Sequence, residues 1–169
     1  RVNITDSVVH FGDLSRRIAG DARELTISIA PDAASAGAAA DAKRYNFDLY
    51  SRDSNLKYED RQIENIDVRA IGIADKNGAD LTELRVNTPV GQASLTGTIR
   101  DWADPRYELQ AESTLDISQI SNFVSPGSAL RGVGNFKGKV TGRGEEYRVE
   151  GNADSQAIRA GGVYLRAAN

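Results

Sequence analysis

The chain has 169 residues, of which 40% are hydrophobic and 7% aromatic, and its formal net charge is −3. Acidic and basic residues are mixed along it, so no nucleic-acid interface is expected. The absence of cysteine excludes disulfides and thiol chemistry, and no apolar run is long enough to predict a membrane-spanning helix. Because the sequence starts and stops within its strand pattern, we expect 1–169 to be a single segment of a longer protein.

Alternating apolar residues predict two strands in the first thirty residues. The first begins at Val2 and changes phase near Val9. The segment 11–24 mixes polar residues with isolated apolar ones and is predicted to be a loop. The second strand, 25–30, alternates apolar with polar residues and ends at Pro31.

The segment 32–44 is rich in alanine and of low complexity. Alanine favours helix, but Gly37 interrupts the run and no large apolar residue gives it a face to bury. We therefore predict a flexible loop, with a short helix as the alternative.

Further strands follow at short intervals. A strand is predicted at 45–50, with a turn at 51–55. The strand after that turn carries apolar residues in two phases, which indicates a bulge or two apolar faces. Asn77-Gly78 is typical of a hairpin turn, and a strand at 84–88 follows it.

The segment 93–113 predicts a β-hairpin whose inward side chains are small or aliphatic. It has a second copy further along the chain, at 136–153. The pattern L-x-G-x-I of 95–99 returns there as F-x-G-x-V of 136–140. Such an internal repeat indicates a serial architecture.

Between the two hairpins the apolar period changes from two residues to 3.6. Asp116 and Gln119 have the spacing of a capping box, and three apolar residues after Asp116 would share one helical face. One short helix is therefore predicted at 116–124. A last strand is predicted at 163–167.

None of the patterns typical of an active site is complete in this sequence. His10 is the sole histidine and is predicted to face solvent rather than to bind a metal. The segment 75–80 lacks the spacing of a calcium loop and is explained by its hairpin turn. Asp101 and Asp104 flank Trp102 like a carboxylate pair, but aspartates are common in turns. We predict no enzymatic activity, no metal and no cofactor.

If the strands lie side by side, their apolar residues line one common face. One interpretation is a packed core inside a sandwich or barrel. The other is a curved sheet whose apolar concave face stays open and holds acyl chains, which the small inner residues favour because they leave space. The predicted lining residues are Leu25, Ile27, Ile29, Tyr45, Phe47, Leu49, Leu84, Val86, Leu95, Ile99, Leu109, Phe136, Val140 and Val149.

The hairpin at 95–111, the acidic helix start at 115–120 and the spaced glycines of 132–142 resemble the TamB/AsmA-like family of long bacterial envelope proteins. In that family a strand pair runs into a helix that starts with an acidic residue, and then into a glycine-marked strand. The resemblance covers about 65–169, and 1–25 more loosely.

This resemblance implies an all-β fold of serial antiparallel hairpins, folded into a half-pipe (a β-taco) with an apolar interior. It implies a periplasmic segment of a protein anchored in the inner membrane. Such a protein carries phospholipid between inner and outer membrane, supports outer-membrane protein assembly beside a β-barrel partner, or does both. The family offers no catalytic residues.

Two further expectations stand beside this resemblance. The alternative function is that of a structural or adhesive β-solenoid or β-sandwich interaction domain with a dry core. A segment cut from an array would also expose sheet edges, which favour edge-to-edge self-association.

Overall fold

The computed structural model describes residues 1–13, 17–59, 61–119, 131–144, 146–160 and 163–168, with side chains described as far as Ser155. Ten strands form one sheet, and each is antiparallel to the next in the chain. The sheet is open, because β1 and β10 are its two edges. The strands are β1 (Val2–Asp13), β2 (Ile18–Pro31), β3 (Tyr45–Tyr58), β4 (Arg61–Asp75), β5 (Gly78–Thr88), β6 (Gly91–Arg100), β7 (Arg106–Asp116), β8 (Val133–Arg143), β9 (Glu146–Ala160) and β10 (Val163–Ala168).

This topology confirms the predicted all-β fold of serial hairpins. The predicted helix begins as expected after Asp116, whose carboxylate accepts hydrogen bonds from the backbone N–H groups of Ser118 at 2.9 Å and Gln119 at 3.2 Å. Residues 117–119 are helical, and the remainder of 116–124 lies outside the described residues. No helix in the described part of the chain is long and apolar enough to span a membrane.

Two predictions about the first strands are wrong. Most of the predicted loop at 11–24 is strand, since β1 extends to Asp13 and β2 begins at Ile18. The predicted turn at 51–55 lies in the middle of β3. In both places a bulge interrupts the alternation of apolar residues. The interrupted pattern predicts the end of a strand, although the strand continues past the bulge.

The bulges of β1 to β4 follow one another across the sheet. Each is marked by a residue with positive φ: Asp6 (48°), Glu24 (45°), Asp53 (47°) and Asn65 (56°). The register shifts beside each of them, as expected when one extra residue is inserted. We call this line of four residues the crease. Bulges bend the strands that carry them, so the crease curves the first four strands of the sheet.

The sheet has one layer. Every pair of strands with substantial contact is a pair of neighbours in the sheet, and none of the large side chains that the structure describes is fully buried. The solvent-accessible surface is 11346 Å², whereas a compact monomer of this mass exposes about 8,100 Å². The interpretation as a packed sandwich or barrel is therefore wrong for the described strands.

The alanine-rich segment 32–44 joins β2 to β3 and contains two short 3-10 helices, Ala33–Ser35 and Ala40–Ala42. The two ends of the segment are hydrogen-bonded to each other: the backbone N–H of Asp32 donates to the carbonyl of Arg44 at 2.9 Å. The buried Ser35 hydroxyl accepts from the backbone N–H of Arg44 at 3.0 Å. The flexibility expected of this segment stays a prediction.

Candidate functional site

The register places all the predicted lining residues on one face of the sheet. Directly opposed residues of antiparallel strands point to the same side, so a chain of opposed pairs identifies a face across the whole sheet. Ile29 opposes Phe47, and Leu84 opposes Leu95. These pairs connect through β7 and β8 to Val149 in β9. We call this side the apolar face and the other the polar face.

The bulges keep apolar residues in phase on this face. In β5, for example, Leu81 and Leu84 are three residues apart, yet they oppose Gly97 and Leu95 on the same side. A spacing of three is the signal in the sequence that members of the face on either side of a bulge belong together, whereas the other members follow by a spacing of two. Large apolar residues of the face outside the predicted set are Val2, Ile4, Val9, Phe11, Ile18, Leu56, Tyr58, Ile63, Ile66, Val68, Leu81, Tyr107, Leu115 and Tyr147.

The apolar face is the concave side at the crease. The buried strand side chains, Leu25, Ser51, Ser54, Ala79 and Ser155, all lie on this face. The crease residues themselves are exposed. A bend crowds the side chains on its inner side and spreads those on its outer side. The apolar face is therefore an open trough in which most large side chains are only half-buried.

Aromatic rings of the apolar face lie against glycines of neighbouring strands. A Cβ on Gly72 in β4 would lie 2.8 Å from Cζ of Phe47 in β3. The ring of Phe136 lies over Gly138 of its own strand and reaches Gly151 of β9, where a Cβ would lie 2.9 Å from Cε2 of that ring. Because the glycine has no side chain, the ring can lie down on the adjacent strand. The rings therefore form a thin apolar layer and leave the trough open.

The glycine shared by the two copies of the repeat has a physical reason. At Gly97 a Cβ would lie 2.1 Å from the carbonyl oxygen of Glu108, and at Gly138 it would lie 2.2 Å from that of Glu150. At both positions the backbone of the next strand occupies the space of a side chain. Glycine is therefore required by close strand approach.

Two serines satisfy the backbone where the crease interrupts the ladder. The Ser51 hydroxyl donates to the carbonyl of Arg23 at 3.0 Å, and the Ser54 hydroxyl accepts from the Arg23 N–H at 3.1 Å. The two hydroxyl oxygens are 2.5 Å apart. Both hydroxyls are thus used inside the sheet, so the apolar face at the crease offers no free polar group from them.

The polar face carries charged and hydroxyl-bearing side chains. Lys137 and Glu112 are opposed and form an ion pair of 2.6 Å, which raises the pKa of Lys137. A depression of about 500 Å³ lies on this side, and Arg85 and Asp154 also line it. The charged and amide side chains of this depression favour water over an apolar ligand. We therefore identify the apolar face as the candidate site, although it is an open trough and not an enclosed pocket.

His10 lies on the polar face and is largely exposed, and its Nδ1 is 2.7 Å from the carboxylate of Asp21. The amide of Asn55 donates to the same carboxylate at 3.0 Å, and Arg23 contacts it at 3.2 Å. These hydrogen bonds, above all that from Asn55, lower the pKa of Asp21 from 3.8 to about 2. The cluster ties β1, β2 and β3 together on the outer side of the sheet.

This cluster predicts a specific response to acid. Because the pKa of Asp21 is lower in the fold than in the unfolded chain, its ionised form stabilises the fold above about pH 4, and this contribution is lost as the pH falls towards 2. We expect Asp21→Asn to lower the urea midpoint at pH 6 and to reduce its further decline between pH 4 and 2. An unchanged acid dependence in the variant would contradict this role.

The other carboxylates considered above serve turns. Asp75 accepts from the backbone N–H groups of Asn77 and Gly78 at 2.7 and 3.0 Å, as the predicted hairpin requires. Asp101 accepts from the backbone N–H groups of Ala103 and Asp104 in the turn between β6 and β7. The pKa of Asp104 is lowered by its hydrogen bond from Arg143. Within the described ranges, no cluster of histidine and carboxylate side chains is suited to a metal ion.

Comparison of the chain with protein-family models, with curated proteins and with solved structures finds no match.

Proposed function

We propose that the chain is a non-enzymatic lipid-binding segment whose apolar face holds the acyl chains of phospholipids. One observation carries the proposal: apolar side chains from β1 to β9 share one face, and no other described strand covers it. Uncovered apolar surface of this extent is unfavourable in water and marks a surface that binds something apolar.

The dimensions and chemistry of the face suit acyl chains. The nine strands β1 to β9, about 4.8 Å apart, give an apolar face about 40 Å long, whereas one acyl layer of a bilayer spans about 15 Å. Each methylene that leaves water contributes about 0.8 kcal/mol. The flat rings over Gly72 and Gly138 leave room for a chain to lie along the trough. Binding of this kind requires no specific headgroup site.

The wider role we propose follows the resemblance of the sequence to the TamB/AsmA-like family. The chain would be a periplasmic part of an envelope protein anchored in the inner membrane. There it would carry phospholipid between the two membranes, support outer-membrane protein assembly, or do both. Contact with a β-barrel partner would involve regions outside this chain. An open serial sheet with one apolar face supports this proposal, because such a trough can be continued by further hairpins.

The alternative of a structural or adhesive domain with a dry core has less support. A dry core needs a second layer on the apolar face, and the described strands form a single layer. A β-solenoid is also built from parallel coils, whereas each described strand here is antiparallel to its neighbour.

We expect Leu95→Arg to reduce bound phospholipid at least about tenfold, as measured by native mass spectrometry and by extraction of the purified protein. Leu95 lies at the centre of the apolar face, opposite Leu84 and Ala111. A guanidinium placed there would have to lose its water to contact acyl chains, and a tenfold loss of affinity needs only about 1.4 kcal/mol.

Thr96→Arg is the matched control, because Thr96 is the next residue of the same strand and is exposed on the polar face. It should leave bound lipid unchanged. Photo-crosslinking groups at 95 and 96 give a second measurement, with lipid adducts expected at 95 alone. Equal lipid binding by the two arginine variants, or no lipid on the wild-type chain after exposure to phospholipid vesicles, would refute the proposal.

A further inference from the structure

The tyrosines of the apolar face lie at the ends of strands. Tyr45 is the first residue of β3 and Tyr58 is the last, while Tyr107 and Tyr147 are the second residues of β7 and β9. The register places all four on the apolar face. Tyrosine combines an apolar ring with a polar hydroxyl, so it suits the border between an apolar layer and a polar one. The apolar face therefore ends in amphipathic side chains at these positions.

Tyr107 and Tyr147 border the trough at one end of β7 to β9, and we call this pair the tyrosine rim. Both residues oppose Gly142 of β8, one from each side. A Cβ on Gly142 would overlap Cζ and the hydroxyl oxygen of Tyr107, so that ring lies over β8. Its hydroxyl donates to the carbonyl of Glu146 at 3.4 Å, a long hydrogen bond that a closer acceptor can replace. Tyr147 is 72% exposed, and its hydroxyl has no hydrogen-bond partner among the described residues.

At the opposite ends of the neighbouring strands, hydroxyl groups on the apolar face are used inside the sheet. The Thr88 hydroxyl donates to the carbonyl of Gly91 at 2.9 Å, and the Ser155 hydroxyl donates to the carbonyl of Val133 at 2.9 Å. At that end β7 carries the apolar Leu115 on this face. The two rims of the trough therefore differ, because the phenol hydroxyls that can donate to a ligand lie at the tyrosine rim of β7 to β9.

We propose that a phospholipid in the trough lies with its ester and phosphate oxygens at the tyrosine rim and its acyl chains directed across the face, an inference that rests on the proposed function. Phenol hydroxyls donate hydrogen bonds to such oxygens, which lie where the acyl chains of a phospholipid begin. β7 has 11 residues and spans about 37 Å, whereas one acyl layer of a bilayer spans about 15 Å. Acyl chains that start at the tyrosine rim therefore end on the apolar face.

The tyrosine rim orients a lipid without selecting its headgroup. A phenol is neutral, and the ester and phosphate oxygens are common to phospholipids with different headgroups. The rim therefore favours a lipid with these acceptors over a bare hydrocarbon, because only the former can pair with the hydroxyls of Tyr107 and Tyr147. It also determines which end of the lipid lies at which rim of the trough.

Titration with a short-chain phosphatidylcholine below its micelle concentration, followed by native mass spectrometry, tests the role of the hydroxyls. We expect the double variant Tyr107→Phe with Tyr147→Phe to weaken binding at least about fivefold, because it removes both phenol donors and keeps both rings. Tyr50→Phe is the matched control, since Tyr50 lies on the polar face, and it should leave binding unchanged. Equal binding by the double variant and the wild type would overturn this inference alone. A wild-type chain that binds no phospholipid would refute the proposed function as well.

Single-cysteine variants test the orientation of the lipid, since the chain has no cysteine of its own. Ile99→Cys places a fluorophore at the tyrosine rim, opposite Tyr107, and Leu115→Cys places one on the same face at the other end of β7. The lipid carries a nitroxide quencher on its headgroup. We expect quenching at 99 to be at least about twofold stronger than at 115, because the two positions are about 27 Å apart along the strands. Equal quenching at both positions, or stronger quenching at 115, would overturn the proposed orientation.

Discussion

Gly138→Ala is expected to destabilise the sheet by about 3 kcal/mol, at the upper end of the range for overpacking. An added Cβ would lie 2.2 Å from the carbonyl oxygen of Glu150 and 2.6 Å from the ring of Phe136. The backbone contact has no flexible partner that can move aside, so β8 and β9 would have to separate. Urea denaturation followed by circular dichroism measures the loss.

Gly37→Ala is the control for this substitution. A Cβ at Gly37 would meet nothing within 4 Å, so we expect a change of no more than about 0.5 kcal/mol. If both variants keep wild-type stability, close approach of the strands at Gly138 is not the reason for glycine there. The corresponding glycine of the other copy of the repeat, Gly97, should behave as Gly138 does.

Ser54→Ala is expected to destabilise the first four strands by about 2 kcal/mol. The change removes the acceptor of the Arg23 N–H and the partner of the Ser51 hydroxyl. Both serines are buried, so the groups left behind would lose a hydrogen bond without regaining water. Hydrogen exchange at residues 18–31 and 45–58 should rise more than exchange in β6 and β7.

Ser94→Ala is the control that distinguishes the loss of the hydrogen bonds at the crease from the loss of a serine hydroxyl elsewhere in the sheet. Ser94 is half-buried on the polar face, and its replacement should change stability by about 0.5 kcal/mol or less. Equal destabilisation by the two alanines would show that the crease has no special dependence on its serines.

The sequence predicts the fold best where strands have no bulge. Apolar and polar residues alternate without interruption in β6, β7 and β8. The register is regular both between β6 and β7 and between β7 and β8. In β1 to β4 the bulges change the phase of the alternation, and they do so at Asp6, Glu24, Asp53 and Asn65. Polar residues of these types favour turns as well as bulges. Which of the two forms depends on the neighbouring strand, so local pattern alone cannot decide it.

The sequence predicts about half of the large apolar residues of the candidate site, but not its shape. The predicted lining residues share one face because that face follows from alternation within each strand. That Phe47 lies on Gly72, or that Phe136 reaches Gly151, depends on the register between strands. The polar contribution of Ser51 and Ser54 likewise depends on where the backbone ladder is interrupted.

The serial order of the strands has a consequence for how such a chain can grow. Among the described strands, each hairpin makes its substantial contacts with the strands before and after it, so duplicating one lengthens the trough by about 10 Å and leaves its cross-section unchanged. Adding a single strand would reverse the direction of every later strand and move each later turn to the opposite rim. The hairpin, rather than the strand, is therefore the smallest unit by which the length of this trough can be altered.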